Sequence, residues 1–376
     1  MKPDDRDAAI SSAPRFLFLQ YERPLGAAIM ATPVFEAIKK SLPRSQIVVA
    51  CGPMAHQLLA HNPHVDAAIQ TRDPVDDFWR AMWDFFWRVS ARAGKFDFVI
   101  TDSSNQRTRI ALLAVVARAG RKVGFTLAKR LYDTPIAYDP NRGVLDNNMR
   151  LPTALGLAGE PCEPKFYFSK NDALSATRFL REHDLHGEAP IVCFATQHSG
   201  GYPEKRGWQA ARFAELADRL ARDHECRVVF AGAPDERSAI EDIRSRMQSP
   251  SASAAGALST SQFAALLAQC DLLVTLDTGS LHVARAVGLP AIVIARPWQP
   301  SHEWLPVGTK GYAILSKDVE VERCRNDAAY DAPDTIDEVT VDEAFEAAEE
   351  MLRRAPPSQN ARAERMKSRL TRERPA

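Results

Sequence analysis

Seven short apolar runs, separated by stretches of helical character, limit the folds open to this chain more than any other feature. Each run is almost continuously apolar instead of alternating with polar residues, which is typical of strands buried on both faces. Such strands, alternating with helices, predict α/β layers with parallel sheets and right-handed crossovers. The runs occupy residues 16–19, 47–50, 98–100, 191–194, 227–231, 272–274 and 291–294.

Chain length and one break in this pattern predict two domains. A chain of 376 residues can bury two ordinary cores. Residues 159–190 lack a strong strand, so we expect one domain at 15–170 and another at 185–354. Residues 1–14 are polar and predict a flexible tail. Residues 355–376 contain six Lys or Arg against two Glu, which predicts a disordered basic tail or, alternatively, a contact with an anionic membrane.

Charge and cysteine content limit the classes of partner. Lys plus Arg equals Asp plus Glu at 48 each, so no overall field favours nucleic acid. The six cysteines form no C-x-x-C pair, as in cytosolic proteins with reduced thiols. The amino terminus lacks the apolar core of a signal peptide, and no apolar run reaches the ~18 residues that span a bilayer. We therefore expect a cytoplasmic protein with local binding sites.

The clearest local site follows the run at 272–274. A helix is predicted to begin at the hydroxyl-and-glycine turn there and to end at Gly288, before Pro290. Unpaired backbone N–H groups at such a helix start favour a phosphate, above all a diphosphate. If each residue is considered alone, Asp277 could simply cap the helix and His282 could simply pack in the core. The polar residues of the site are Asp277, Thr278, Gly279, Ser280 and His282.

Together with other segments, this site resembles glycosyltransferase family 9, the ADP-heptose:lipopolysaccharide heptosyltransferases. The pattern D-T-G-x-x-H-x-A-x-A-x-G-x-P covers residues 277–290. The second half also contains R-F-A-E-L at 212–216, a G-x-P-x-E turn at 232–236 and W-L-P at 304–306. The first half contributes Thr32-Pro33 and R-K-V-G-F at 121–125. The similarity extends from about residue 15 to residue 352.

The resemblance implies a GT-B fold, in which two Rossmann-like domains with parallel sheets face each other across a cleft. The first domain would bind the acceptor and the second the nucleotide-sugar donor. The implied reaction is inverting and metal-independent transfer of a sugar, heptose included, to lipopolysaccharide or another envelope glycan. The resemblance implies that no cofactor and no metal take part. The expected donor is a nucleotide sugar such as ADP-heptose, and the expected acceptor is a glycolipid or saccharide. We also expect peripheral contact with the cytoplasmic face of the inner membrane.

The resemblance also implies roles for individual residues. Lys205 or Arg206 would neutralise charge on the leaving diphosphate, and Glu236 would accept hydrogen bonds from the ribose hydroxyls. On the acceptor side it implies Gly26 and Arg107. The implied donor-binding residues are Thr196, Glu236, Asp277, Thr278, Gly279, Ser280 and His282.

The general base departs from the family pattern. The family has an aspartate directly after the glycine that follows the first strand, whereas this chain has Ala27, which cannot accept a proton. Glu22 on the same loop is the predicted substitute, or else it only pairs with Arg23. The missing base favours one alternative to a transferase, a non-catalytic nucleotide-sugar-binding protein. A further alternative is a nucleotide-sugar epimerase with the GT-B fold.

An aromatic segment in the first half places Trp79, Trp83, Phe86 and Trp87 on one helical face. We expect neighbouring helices to cover this face. The alternative is contact with an acceptor lipid or a membrane interface.

Overall fold

The computed structural model contains two compact units, each built on one six-stranded parallel sheet. The first unit comprises Met1–Pro164 and the second Lys165–Ala376. The apolar runs predict this α/β architecture. The structure describes residues 13–21, 25–91, 93–160, 162–196, 207–296, 301–317, 335–354 and 357–371.

The strands of the first unit are β1 (Arg15–Gln20), β2 (Gln46–Cys51), β3 (Ala67–Gln70), β4 (Phe96–Thr101), β5 (Ala119–Phe125) and β6 (Thr134–Ile136). Their order in the sheet is β3-β2-β1-β4-β5-β6. The helices are α1 (Leu25–Ser41), α2 (Pro53–Leu59), α3 (Phe78–Phe85), α4 (Thr108–Val116), α5 (Val144–Asn148) and α6 (Arg150–Ala154). A π turn at Phe86–Ser90 continues α3, and a 3₁₀ turn at Lys129–Leu131 follows β5.

Helices α3 and α4 cover the same face of the first sheet. Phe85 in α3, Val89 in the π turn, and Ile110 and Leu113 in α4 are buried in one apolar cluster. On the sheet, this cluster includes Leu17, Leu19, Val48 and Val99. The two helices therefore lie side by side on one face of the sheet, and the surfaces they turn away from the sheet are on the same side of the unit.

The strands of the second unit are β7 (Ile191–Ala195), β8 (Arg227–Phe230), β9 (Ser251–Ser253), β10 (Leu272–Leu276), β11 (Ala291–Ile294) and β12 (Tyr312–Leu315). Their order is β12-β11-β10-β7-β8-β9, so both units share one Rossmann-like topology. The helices are α7 (Lys170–Glu182), α8 (Ala210–Asp223), α9 (Arg237–Arg246), α10 (Thr260–Leu267), α11 (Gly279–Val287), α12 (Val341–Arg354) and α13 (Gln359–Arg369).

The boundary between the units lies within the predicted stretch 159–190, but helix α7 in that stretch belongs to the second unit. Ser169 and Asp172 form a capping box at its start. Ala176 and Phe179 are buried on its inner face, and α7 packs against α10. The second domain therefore begins about twenty residues earlier than the predicted residue 185.

The prediction of a disordered basic tail is wrong for residues 357–371, because α13 packs on the second unit. Its Arg362 is buried and donates hydrogen bonds to the carboxylate of Asp271, which directly precedes β10. The same guanidinium donates to the carbonyl oxygens of Gly187 and Ala189, both at 2.8 Å. The basic composition of this segment predicts that its charges are solvated, but the Arg362 charge is instead bound by specific hydrogen-bond acceptors on the second unit.

Neither membrane-spanning helices nor disulfides occur in the described ranges. None of the helices there has the length and apolar character needed to cross a bilayer. The five described cysteines, Cys51, Cys162, Cys193, Cys226 and Cys270, are free thiols.

Candidate functional site

The candidate donor site lies where the strand order of the second sheet reverses. Strands β7 and β10 are parallel neighbours, and the chain continues from them toward opposite edges of the sheet. In open α/β sheets, ligands bind beyond the carboxyl ends of such strands. Thr275 of β10 is paired with Ala195 of β7, so Thr196 and Asp277 follow the two strands at adjacent positions.

Helix α11 begins at this reversal point and presents its amino terminus there. Thr278 is its extended N-cap residue, with φ −141° and ψ 175°, but its side chain makes no capping hydrogen bond. The Thr278 hydroxyl lies instead 3.4 Å from the hydroxyl of Thr275. Within the described ranges, the N–H groups of Gly279 and Ser280 have no hydrogen-bond acceptor, so they are available to an anion. The helix ends at Gly288 with φ +81°, as predicted.

The carboxyl group of Asp277 has an unusual affinity for protons. Burial raises its pKa to about 6, because the charged form loses hydration. A diphosphate beside this carboxylate would raise that pKa further by charge repulsion. The group is therefore suited to hold a proton in a complex, and a protonated carboxyl can donate a hydrogen bond to a phosphate oxygen.

The imidazole of His282 is buried and neutral. Its side chain lies in the first turns of α11, the residue is 5% exposed, and within the described residues its Nδ1 has no hydrogen-bond partner. Burial lowers its pKa to about 4, and the nearby charge of Arg285 acts in the same direction. The ring meets that of Trp304 edge-on, with centroids 5.8 Å apart. His282 can therefore contribute a neutral hydrogen bond to a ligand but no positive charge at pH 7.

Glu236 follows β8, the strand beside β7. Its Oε2 accepts a hydrogen bond from the backbone N–H of Ala233 at 2.8 Å, and burial raises its pKa. In the described part of the chain its Oε1 has no hydrogen-bond partner, which leaves one oxygen to accept from a ligand hydroxyl. A Cβ atom on Gly232 would lie 2.5 Å from Oε2, so a larger residue there would displace the carboxylate.

Three predicted catalytic residues, Glu22, Lys205 and Arg206, lie outside the described residues. Their roles stay predictions. Of the predicted donor residues, Thr196, Asp277, Thr278, Gly279, Ser280 and His282 come together at the reversal between β7 and β10, and Glu236 follows the neighbouring strand.

The first sheet has its own reversal point, between β1 and β4. Gln20 ends β1 and Asp102 follows β4, and each residue is only 1% exposed. The Tyr21 N–H donates to Asn105 Oδ1 at 2.9 Å, and Asp102 Oδ1 accepts from Asn105 Nδ2 at 2.9 Å. Among the described residues, the two polar atoms of the Gln20 amide have no hydrogen-bond partner, and the Ser103 hydroxyl also has none. Buried groups of this kind favour a polar ligand.

Sequence reasoning missed the β4 end of this group, although Asp102-Ser103-Ser104-Asn105 begins two residues after the predicted strand at 98–100. The cluster is joined to helix α1 through Asn148. Its Oδ1 accepts from the Ser103 N–H at 2.9 Å, and its Nδ2 donates to the Met30 carbonyl at 3.0 Å.

The predicted acceptor-side residues occupy helix starts that follow β1 and β4. Gly26 and Ala27 are buried in the first turn of α1, and Ala27 is 0% exposed. Arg107 is the N-cap residue of α4 and is exposed. Ala27, which the sequence resemblance aligns with the family's base, therefore lies in a helix turn that faces the core.

Comparison with known proteins identifies the family. The model of glycosyltransferase family 9 (heptosyltransferase) matches residues 87–330, more than half of this chain. Lipopolysaccharide heptosyltransferase 3 of Escherichia coli is 23% identical over 293 residues, 73% of this chain and 83% of that protein. Lipopolysaccharide core heptosyltransferase OpsX of Haemophilus influenzae is also 23% identical, over 75% of this chain and 79% of its own.

Solved structures show the same fold. The family 9 glycosyltransferase of Veillonella parvula matches with a TM-score of 0.81 at 22% identity, covering 91% of this chain and 98% of that one. ADP-heptose lipopolysaccharide heptosyltransferase II of E. coli matches with a TM-score of 0.70 at 18% identity, covering 90% and 98%. The predicted GT-B fold class, with two Rossmann-like domains, is confirmed. This chain therefore belongs to glycosyltransferase family 9, the heptosyltransferase family.

Proposed function

We propose that this protein transfers a heptose from ADP-heptose to a sugar of the lipopolysaccharide core or a related envelope glycolipid, with inversion and without a metal. The amino terminus of α11 at the β7–β10 reversal carries this proposal, because its first N–H groups have no acceptor among the described residues and hydroxyl groups lie beside them, a combination that suits a diphosphate. The names of several relatives support the substrate class. One matching structure is E. coli heptosyltransferase WaaC with ADP, at 17% identity and a TM-score of 0.66.

Each donor residue has a role that suits its chemistry. The N–H groups of Gly279 and Ser280 would bind the diphosphate, and His282 would add a neutral hydrogen bond. Glu236 would accept from a ribose hydroxyl through Oε1. Lys205 or Arg206 would neutralise the charge that develops on the leaving group.

The reaction requires a base on the acceptor side. The acceptor oxygen would form a bond to the anomeric carbon as the bond from that carbon to the phosphate oxygen breaks, and ADP would leave with the bonding electrons. The acceptor hydroxyl gives its proton to a carboxylate. Glu22 is one candidate. Asp102 is a second, because it is buried at the β1–β4 reversal and is joined through Ser103 and Asn148 to α1.

Two isosteric variants distinguish these bases. Asp102→Asn keeps an oxygen for the hydrogen bonds that Asp102 Oδ1 accepts from Ser104 and Asn105, yet cannot take a proton. Glu22→Gln removes the other carboxylate. We expect one variant to lose roughly 100-fold or more in kcat with little change in ADP affinity, since general base catalysis contributes about 10²–10⁴-fold. Full activity in both would remove both residues from the mechanism.

A second function, nucleotide-sugar binding without transfer, is favoured by the buried Ala27. The assay is incubation of the purified protein with ADP-heptose and a truncated lipopolysaccharide acceptor, followed by mass spectrometry of the acceptor and measurement of ADP. Stabilisation by ADP without product from any nucleotide sugar would support the second function. Isomerisation of the donor without acceptor would support an epimerase.

A transfer rate that falls on addition of EDTA would contradict metal independence.

A further inference from the structure

We propose that the outer surface of α3 and α4 in the first unit docks on an anionic lipid bilayer. We call this surface the α3–α4 face. It consists of exposed apolar residues on α3, its π turn and α4, with basic residues beside α4. Its members are Trp79, Trp83, Trp87, Leu112, Val115, Leu127, Arg107, Arg109, Lys129 and Arg130.

Three tryptophans give this face its aromatic character. Trp79 is 72% exposed, Trp83 66% and Trp87 49%. The sequence expectation that neighbouring helices cover them is wrong, because Phe85 and Val89 point into the core from the opposite side of the same helical stretch. The rings of Trp83 and Trp87 meet edge-on with centroids 5.8 Å apart. Tryptophan combines a large apolar ring with one N–H donor, a combination that is favoured at membrane–water interfaces.

The apolar surface continues onto α4. Leu112 is 38% exposed and Val115 51%, while Ile110 and Leu113 pack on the same side of the sheet as α3. The start of α4 is tied to the loop before α3, because the Arg109 guanidinium donates to the carbonyl oxygens of Pro74 and Val75, at 3.3 and 3.0 Å. The two helices therefore present one outward layer.

The segment after β5 extends this layer. Leu127 is 72% exposed, and its N–H donates to the carbonyl of Gln106 next to the start of α4. The 3₁₀ turn Lys129–Leu131 packs against α4, and Ala128 and Leu131 contact the same apolar cluster as α3 and α4. Lys129 and Arg130 are both exposed on this turn.

The charge of this region selects the partner. Residues 103–132 contain no Asp or Glu and seven basic residues, at 107, 109, 118, 121, 122, 129 and 130. Beside the tryptophans, charges are instead paired: Arg88 with Asp84 at 2.7 Å and Arg80 with Asp77 at 3.4 Å. Of these residues, Lys122 pairs with Asp133 at 3.2 Å, whereas Lys129 and Arg130 are exposed and form a basic rim. This rim next to a nearly neutral aromatic patch fits anionic headgroups over an interfacial layer. A neutral glycan would use the aromatic rings but not the rim.

The carboxyl-terminal helix is a weaker candidate for the same role. In α13, Arg362 and Arg365 donate to Asp271 and to backbone carbonyls of the second unit. Those charges are therefore already engaged, whereas Lys129 and Arg130 are exposed on the α3–α4 face.

The test is co-sedimentation of the full chain with vesicles of phosphatidylcholine alone or with one quarter phosphatidylglycerol. We expect binding to the anionic vesicles that weakens with added salt. Lys129→Gln with Arg130→Gln should lower the partition coefficient about fivefold for each charge removed. Trp83→Ser with Trp87→Ser should lower it roughly tenfold or more. Tryptophan fluorescence should shift to the blue on binding to vesicles in the wild type but not in Trp83→Ser with Trp87→Ser.

Matched changes in the second unit serve as controls. Leu174 is an exposed leucine, 53% accessible, and Arg353 and Arg354 are an exposed basic pair. Leu174→Ser and the double change Arg353→Gln with Arg354→Gln should bind vesicles as the wild type does. Because the vesicles contain no acceptor, the result is independent of the proposed transfer reaction. The proposal is overturned if the wild type does not bind anionic vesicles, if it binds a soluble oligosaccharide or itself through the tryptophans instead, or if the α3–α4 variants bind like the controls.

Discussion

The buried pair of Arg362 and Asp271 gives a sharp prediction for stability. We expect Arg362→Met to lower the free energy of unfolding of the second unit by about 3–5 kcal/mol, because the change leaves an unpaired carboxylate in the interior. The double variant Asp271→Asn with Arg362→Met also lacks the buried carboxylate. That double variant should be more stable than Arg362→Met alone.

The magnitude follows from what each side chain contacts. The side chain of Arg362 is 9% exposed and that of Asp271 3%. The guanidinium satisfies both carboxylate oxygens and two backbone carbonyls. Without it, Asp271 retains the Ile191 N–H at 2.8 Å and Arg365 at 3.9 Å. One remaining hydrogen bond and a more distant charge cannot replace the lost solvation.

Hydrogen exchange in urea, read by mass spectrometry on peptides from β7, β10 and α13, reports the second unit separately from the first. Arg354→Met is the matched control, because Arg354 pairs with Glu350 on the surface and its side chain is 74% exposed. We expect that control to cost less than about 1 kcal/mol. A loss below about 1 kcal/mol for Arg362→Met, equal to the control, would refute the reasoning.

Three further predictions concern the donor site. His282→Ala should weaken ADP binding roughly tenfold at pH 7, since a hydrogen bond to a charged group contributes about 1.5–3 kcal/mol; because its pKa is about 4, calorimetry should find that this effect is the same from pH 6 to pH 8. Asp277 has a pKa of about 6 in the folded protein against ~3.9 when unfolded, so the wild type should lose stability as pH rises from 4 through 6; Asp277→Asn should remove that loss in thermal melts, and an unchanged pH profile would contradict it. Gly232→Ala should displace the Glu236 carboxylate and weaken ADP binding, whereas Gly52→Ala in the first unit, where a Cβ meets no described atom within 4 Å, should bind ADP like the wild type.

The sequence predicts the central strands of both sheets well, because those strands are buried on both faces. Strands such as β1 and β10 are almost entirely buried, so their apolar runs are continuous. The strands without a continuous apolar run lie toward the edges. Strand β3 is half exposed, β9 is Ser-Ala-Ser, and β5 begins with Ala-Gly-Arg-Lys. Pairing with a neighbour, and not local composition, makes these segments strands.

The donor site is more predictable than the acceptor side. The turn and helix at 277–288 are contiguous, so caps and a left-handed glycine are visible in the sequence. The group at Gln20, Asp102 and Asn148 comes from three distant segments, and only the strand order brings it together. Helix α13 was missed for a similar reason, since the acceptors of Arg362 lie more than ninety residues away along the chain.

The most direct test of the central claim is mass spectrometry of a truncated lipopolysaccharide acceptor after incubation with this protein and ADP-heptose. We predict an acceptor that has gained one heptose, an equal amount of released ADP, and an inverted anomeric configuration by NMR. Saturable binding of ADP at the α11 site with no heptosylated product from any acceptor would contradict the claim and favour a binding protein without transferase activity.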